Sequence, residues 1–577
     1  MRLTECPKVF TRDLDKALPP EETVKRARAI LEEKAPGVLR ETRRVDTGRL
    51  GIPVYMSMYG PAASGLVPFR KQMGKGASPE QAEASALMEL VERYSFFSLF
   101  ADEEAFVSLT WSEAEELFGQ RLMPISQVLA SVGDDLDEDA ARAVLDLVKW
   151  RFRPALRVGT EEEVIVPADW FKLLNEFNGS SAGNAPAEAV LQGACEAIER
   201  HVSAVVDRDR PELPTIEITP GADPVLDELL HCFAAQGIKV VLKDFSLGLP
   251  APTVGAVAWD PATFPALSEI VFTAGTASSP AKAAIRALTE VAQLAGDFRT
   301  ASRYEPSGLY KPLALDDIGW LRAGPTVPLE SLPDLSAEDI RAELTKLAEA
   351  MEEQDLPLYA LDLTRDDLDL PAAYVFAPGL AFRERSKHPS IGLYVGRRLA
   401  EEEDLETAVR GLKALEEHYP QAHFLAFFEG LAALASGDAR VAFLKFETAA
   451  PMQPGDEETA LANFYAAYAL TQLADYQGAL PFLDRAIELD TGAKEYFNLR
   501  GVCRFRQHEY DPAAADFQSA LELDSGSAMD LANLGLCRKQ QGRLDEAADH
   551  LRQALDLDPS LDFAVEQLRL VEEAGGR

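Results

Sequence analysis

Cysteine is scarce and scattered in this 577-residue chain: Cys6, Cys195, Cys232, Cys503 and Cys537 are the whole set, and no two form a CxxC pair. That excludes a disulfide framework and a thiolate zinc site, and makes a reducing cytoplasm the expected home. The Gly-x4-Gly-Lys-Ser/Thr signature is missing, so the chain is not a P-loop protein. Its first residues, Met-Arg-Leu-Thr-Glu-Cys-Pro-Lys, have no apolar core of the kind a signal peptide carries. Residues 51–69 are free of charge, but Pro53, Pro61 and Pro68 with Gly51, Gly60 and Gly65 break any spanning helix. They read as strand and loop, and not as membrane. Positive charge is also in short supply: 95 acidic residues against 57 basic ones leave a net charge of −38. Such a field repels nucleic acid and anionic membrane, so neither is an expected partner. A nucleoside triphosphate stays possible, because divalent cations reverse the sign locally.

What is there is the composition of a globular protein, 47% hydrophobic and 26% charged, long enough for about three or four compact units. The C-terminal third repeats itself. Ala486-Ile-Glu-Leu-Asp490 returns as Ala520-Leu-Glu-Leu-Asp524 and again as Ala554-Leu-Asp-Leu-Asp558, in steps of 34 residues. Gly501 and Gly535 keep the same step, and Tyr476, Tyr510 and Leu544 stay in phase. Gly430, Gly437, Ala449 and Pro454 match Gly535, Gly542, Ala554 and Pro559 at an offset of 105, which is three periods plus an insertion of three residues. The period and the small residues resemble the tetratricopeptide repeat, a stacked helix–turn–helix. The expected domains are residues 1–395, of mixed α/β (α+β) type with an internally repeated layout, and 400–577, an all-α solenoid. Arg383, Glu384, Arg385 and Lys387 read as a solvated linker between them. A concave repeat surface suits a partner peptide or a second subunit, which makes a homodimer one expected assembly.

The chemistry lies upstream. Three segments share a glycine-containing loop, a proline and then a helix, starting at Pro79, Pro186 and Pro280, with Ser78 and Ser279 placed to cap. Three residues after each proline stands alanine: Ala82, Ala189 and Ala283. Six after stands a polar residue: Ser85, Gln192 and Arg286. Ten after stands glutamate: Glu89, Glu196 and Glu290. Thirteen after come Glu92, Glu199 and Gln293. Offsets of six, ten and thirteen share one helical face. The flanks are apolar nearly all round, as in a buried helix. An isolated Glu-x-x-Glu is usually surface decoration, but carboxylates buried together need cations. Hard oxygen donors without Cys or His clusters suit Mg2+, and neighbouring arginines suit phosphate. The loop Asn178-Gly-Ser-Ser-Ala-Gly-Asn184 runs into the second helix, where its N–H groups are candidates to meet an anion. Together these features describe nucleoside triphosphate chemistry. His201 reads as structural and Cys195 as a small buried residue.

Three stretches resemble the YcaO family: Ser85-Ala-Leu-Met-Glu89-Leu-Val-Glu92-Arg93; Asn178 to Asn184 with Glu188, Glu196, Glu199 and Arg200; and Arg286-Ala-Leu-Thr-Glu290 with Gln293. Asp362-Leu-Thr and Pro378-Gly-Leu extend the likeness. The resemblance implies ATP and Mg2+ as cofactors and a peptide or protein substrate whose backbone amide oxygen is phosphorylated, giving an azoline or a thioamide. It makes Glu89, Glu92, Glu188, Glu196, Glu199 and Glu290 candidate metal ligands. Ser85, Asn184, Gln192, Arg200 and Arg286 become candidate nucleotide contacts, joined by Lys16 and Thr23 from an N-terminal helix. Glu89, Glu196, Glu199 and Arg286 are the candidate catalytic groups. Azoline-forming members often end in a Pro-rich tail, whereas this chain ends Glu-Glu-Ala-Gly-Gly-Arg. Its layout is closer to stand-alone members with a helical C-terminal domain, among them the bacterial one linked to ribosomal protein methylthiolation.

Overall fold

Three prolines start three helices. In the computed structural model, which describes residues 1–46, 49–264, 268, 270–295, 312, 314–382, 388–524 and 526–575, these helices run Pro79–Ala101, Pro186–Asp209 and Pro280–Ala295. Ser78 caps the first, its Oγ accepting from the Gln81 N–H at 3.2 Å. The Ser279 carbonyl accepts from the Ala283 N–H at 3.0 Å and opens the third. The linker residues Arg383, Glu384, Arg385 and Lys387 lie outside the described residues.

Each helix leaves a strand of a different sheet. Lys71–Lys75 is the edge of a three-stranded sheet with Val54–Tyr59 and Leu39–Arg44. Ser180–Ala182 is the edge of a six-stranded sheet, beside Ala372–Phe376. Val271–Thr276 is the edge of a five-stranded sheet, beside Thr253–Trp259. Among the described strands every pairing is antiparallel except Thr326–Pro328 with Thr215–Glu217, so the mixed α/β class takes its α+β form.

The junctions are built alike. Five residues before each proline stands Gly74, Ser181 or Gly275. A Cβ on Gly74 would lie 2.1 Å from the Ala86 nitrogen and 2.3 Å from the Ala82 carbonyl oxygen. A Cβ on Gly275 would lie 2.4 Å from the Ala287 nitrogen and 2.5 Å from the Ala283 oxygen. In both, strand backbone touches helix backbone, which only glycine opposite alanine permits. The middle junction reverses the roles, with Ser181 on the strand and Gly193 on the helix; a Cβ on Gly193 would lie 2.7 Å from Ser181 Oγ. Such intimate packing explains why the helices are apolar on most faces. In the third, Ala283, Ala284, Ile285, Ala287, Leu288 and Val291 are buried, leaving Arg286, Glu290 and Gln293 as a half-buried polar stripe.

The chain divides into two compact units, Met1–Glu138 with Lys149–Pro389, and Asp139–Val148 with Ser390–Arg577. In the second unit the 34-residue period becomes helix pairs: His423–Ala435 with Ala439–Ala449, Asp456–Gln472 with Tyr476–Leu489, Lys494–Arg506 with Tyr510–Leu523, and Ala528–Gln540 with Leu544–Leu557. The tight turn inside each pair places one residue in the left-handed region: Gly437, Ala474, His508 and Gly542, with φ of 82°, 58°, 67° and 77°. The later three are spaced by 34 residues and the first by three more, as the sequence offset requires. Gly430 and Gly501 let their helices close on Phe446 and Phe517, whose rings would lie 2.7 and 2.9 Å from an added Cβ. Among the described residues no helix is long and apolar enough to cross a membrane.

Candidate nucleotide and metal site

The polar stripes of the three helices meet in one cavity of about 200 Å³. Glu89, Glu92 and Ser85 come from the first helix, Glu188, Gln192, Glu196, Glu199 and Arg200 from the second, and Arg286 and Glu290 from the third. Asn184 joins them from the loop before the second helix, and Thr23 from the helix Pro20–Lys34. Lys16 also lines the cavity, but it precedes that helix; it pairs with Phe10 in a short antiparallel bridge. Every candidate metal ligand and nucleotide contact named from the sequence thus lines one space. Lys75, Asp13 and Gln81 share it unforeseen.

The carboxylates face cations one by one. Arg93 is buried, bonds Glu92, donates to Ser180 Oγ at 2.7 Å and lies 3.9 Å from Glu89. Its guanidinium also stacks 4.1 Å above the Phe177 ring. Arg200 Nε is 3.9 Å from Glu196. Arg286 lies 3.8 Å from Glu199 and donates to Gln192 Oε1 at 3.0 Å. Lys75 lies against Glu290. Glu199 also accepts from the Thr276 N–H, at 2.9 Å, at the end of its strand. Burial pushes the Glu89 and Glu92 carboxyls above the usual carboxylate range; Arg93 works against this and the charge of Glu196 adds to it. Burial, helped by Arg286, pushes the Lys75 ammonium down to about 8.

Glu188 is placed differently from the other acids. It accepts from the Ala17 N–H at 2.8 Å and from the Asn184 backbone and side-chain N–H groups, each at 3.2 Å. Asn184 Nδ2 also donates to Thr23 Oγ1 at 3.1 Å. Glu188 therefore ties the N-terminal segment to the loop before its helix. Asp13 does the same at the first junction, accepting from the Ala77 N–H at 3.3 Å.

The anion-binding loop expected at 178–184 takes another form. Residues Ser180–Ala182 are a strand, and the N–H groups of Asn178, Ser180 and Gly183 donate to Asn175, Phe177 and Pro371 carbonyls. With the Asn184 N–H held by Glu188, the N–H groups of Asn178, Ser180, Gly183 and Asn184 are committed within the protein. His201 is structural, its Nδ1 accepting from the Ala381 N–H at 2.8 Å. Cys195 is buried, and burial pushes its thiol up to about 12. Native protein treated with a maleimide at pH 8 is expected to leave Cys195 unmodified for hours, by peptide mass mapping, and to label it once unfolded.

The donor set fits Mg2+ held together with phosphates. All candidate ligands are carboxylate oxygens, as a hard cation requires. Among the described residues no three carboxylate, His or Cys side chains converge closely enough to hold a metal alone. A Mg2+ shell completed by phosphate oxygens and water is consistent with that spacing. Asn184 Oδ1 and Arg286 Nε are buried without a hydrogen-bond partner, an acceptor and a donor left open toward a ligand.

A cavity of this make-up, at the meeting of three strand–helix junctions, defines a phosphate- and metal-handling α+β domain outside the P-loop class. Residues 73–381 match the family model described as YcaO cyclodehydratase, ATP- and Mg2+-binding, and residues 529–561 match the tetratricopeptide repeat. The chain belongs to the YcaO family, and ATP and Mg2+ are its cofactors. It is 30% identical over 366 residues to an uncharacterized protein of Methanothermobacter thermautotrophicus, covering 60% of this chain and 90% of that one. It is 30% identical over 213 residues to the ribosomal protein S12 methylthiotransferase accessory factor YcaO of Escherichia coli, covering 33% of this chain and 35% of that one. A heterocyclase solved in complex with substrate and cofactor shares the fold, with a TM-score of 0.52 and 20% identity, over 69% of this chain and 57% of that one.

Proposed function

We propose that the protein uses ATP and Mg2+ to activate a backbone amide of a peptide or protein, leading to an azoline or a thioamide. The carrying observation is the single cavity in which carboxylates from three helices face Lys75, Arg93, Arg200 and Arg286. When bound, Mg2+–ATP supplies a phosphoryl group that turns a poor leaving group, the amide oxygen, into a good one. Glu89, Glu92, Glu196, Glu199 and Glu290 are assigned to the metal. Glu188, expected among the ligands, is assigned to positioning instead, because backbone amides occupy it. Arg200 and Arg286 are assigned to the phosphates, and Arg286, held by Gln192, would neutralise charge there with little reorganisation. Gln192 orients Arg286. Ser85, Asn184, Thr23 and Lys16 complete the nucleotide contacts, and Glu89, Glu196, Glu199 and Arg286 are the groups assigned to the transferring phosphoryl. The helical repeats are assigned to the client or to a second copy of the chain, which analytical ultracentrifugation would distinguish.

The E. coli relative favours a second reading: an ATP-binding accessory factor for ribosomal protein methylthiolation, with the repeats recruiting the client. Phosphate release separates the two. Under the first reading, a cognate peptide raises ATP turnover by about tenfold or more and appears with altered mass. Turnover indifferent to every peptide, with client captured by the repeats, would select the second.

A further inference from the structure

A lysine in the first turn of a helix stands at the positive end of the helix dipole, a locally unfavourable place. Lys282 occupies such a place in the third helix, Pro280–Ala295. Its compensation lies outside the helix. Lys282 Nζ donates to the Thr11 carbonyl at 2.7 Å and to the Arg12 carbonyl at 2.8 Å, charge-assisted bonds of the stronger kind; Asp223 is a more distant neighbour at 3.9 Å. The two carbonyls belong to the tip of a short turn. Its base is the bridge between Phe10 and Lys16, where the Lys16 N–H donates to the Phe10 carbonyl at 2.9 Å, and the Val9 and Phe10 N–H groups donate to the Lys16 carbonyl at 3.0 and 3.2 Å. That base is tied to the rest of the domain. The Lys8 N–H donates to the Glu338 carbonyl at 3.0 Å, the Lys8 ammonium bonds Glu343 and Asp15, and the Ala17 N–H donates to Glu188 at 2.8 Å. The tip has no such backbone frame. Among the described residues no backbone–backbone hydrogen bond involves residues 11–15. Beyond its own turn the tip hangs on Lys282 and on Asp13, whose carboxylate accepts from the Ala77 N–H at 3.3 Å; the exposed Arg12–Glu228 pair, at 3.8 Å, adds little.

These fastenings fall on three different helix starts. Lys282 is in the first turn of the third helix, Glu188 is in the first turn of the second, and Ala77 immediately precedes the Ser78 cap of the first. We propose that residues 11–17 are a strap laid across the starts of all three helices, and that Lys282 is a positioning residue which, by holding the tip of the strap, sets Lys16 against the bound nucleotide. This rests on the assignment of Lys16 to the nucleotide made above. Asp13, Leu14 and Lys16 all line the cavity, so the strap is one of its walls; Lys282 does not line it. The Lys16 ammonium, 3.9 Å from Glu188, rides on a flexible stem, so its reach toward phosphate depends on where its backbone is held. Without the Lys282 ammonium the Thr11 and Arg12 carbonyls turn to water and the tip is released. Lys16 must then be ordered at the moment nucleotide binds, and that loss of freedom weakens binding.

The test is a double-mutant cycle on wild type, Lys16→Met, Lys282→Met and the double variant, read by calorimetry of AMPPCP binding in the presence of Mg2+ and by hydrogen exchange of the strap amides. Lys282→Met is expected to bind Mg2+–AMPPCP about tenfold more weakly than wild type. The double variant should bind no more weakly than Lys16→Met alone, because the two losses are one. Lys282→Arg, which still donates to both carbonyls, is expected to restore binding. Without nucleotide, exchange at the Lys16 amide should rise at least about tenfold in Lys282→Met, while the Ala189 amide, bonded to the Ala185 carbonyl in the second helix, keeps its wild-type protection. Should Lys282→Met prove insoluble, Lys282→Ala carries the same expectations. Losses that add in the double variant would mean that Lys282 acts on the nucleotide through its field and not through Lys16. That outcome, or wild-type exchange at Lys16 in Lys282→Met, overturns the proposal and leaves the site assignment standing. Absence of Mg2+–AMPPCP binding in wild type overturns both.

Discussion

Glu196→Ala is expected to abolish magnesium-dependent ATP binding while leaving the fold intact. Glu196 comes from the middle helix, and its charge is felt by both acids of the first helix, Glu89 and Glu92. Its own cation, Arg200, is an exposed residue 3.9 Å away, so the salt bridge adds little to stability. Removing the carboxylate takes a hard oxygen donor from the proposed metal site and leaves the backbone junctions untouched. In calorimetry the wild type should bind ATP with Mg2+ far better than without. Glu196→Ala should lose at least about a hundredfold of the magnesium-dependent affinity, about 3 kcal/mol, with a melting temperature close to wild type. An affinity within about threefold of wild type would remove Glu196 from the metal site.

The second large effect falls on stability. Gly74→Ala adds a single methyl group at a place where the nearest atoms are helix backbone, the Ala86 nitrogen at 2.1 Å and the Ala82 oxygen at 2.3 Å. No rotamer relieves such a clash, because neither neighbour is the end of a flexible side chain. Strand and helix must separate, which opens the cavity at Lys75 and Ser85 together. The cost is expected at or above the upper end of ordinary overpacking, about 3 kcal/mol, a large share of a typical domain stability of about 5–15 kcal/mol. Urea denaturation measures it. Gly319→Ala is the control: its backbone is helical, at φ −54° and ψ −41°, and nothing lies within 4 Å of the added carbon. That variant should match or slightly exceed wild type. Equal midpoints for Gly74→Ala and wild type would refute the close-contact account.

The helices that carry the acids were legible because proline, alanine and glutamate recur at fixed offsets, and a helix converts offset into direction. Their buried flanks made the convergence readable as well. Lys75 was not legible. It sits on a strand, and an offset counted from a helix start says nothing about which strand residue will face which helix. Asp13 escaped for a related reason, since its role depends on the Ala77 amide far along the chain. The loop at 178–184 misled because glycine and asparagine signal a turn but not where its N–H groups point. Here the strand Ala372–Phe376 and the Pro371 carbonyl receive that segment, partners nearly two hundred residues distant. Glu188 looks like its neighbouring acids in sequence, and its surroundings differ through the amides of Ala17 and Asn184 that lie against it.

The building of one cavity from three separate sheet edges also has a bearing on how the protein comes to exist. Glu89 and Glu290 stand about 200 residues apart in the chain, and contacts of long sequence separation form late in folding. A nascent chain that has not yet delivered the third helix carries acids from the first two without Glu290 or Arg286. Nucleotide has nothing complete to bind until synthesis has passed Glu290. Because a ligand stabilises only the species that binds it, a nucleotide held by this cavity adds stability only to chains whose three junctions have all closed.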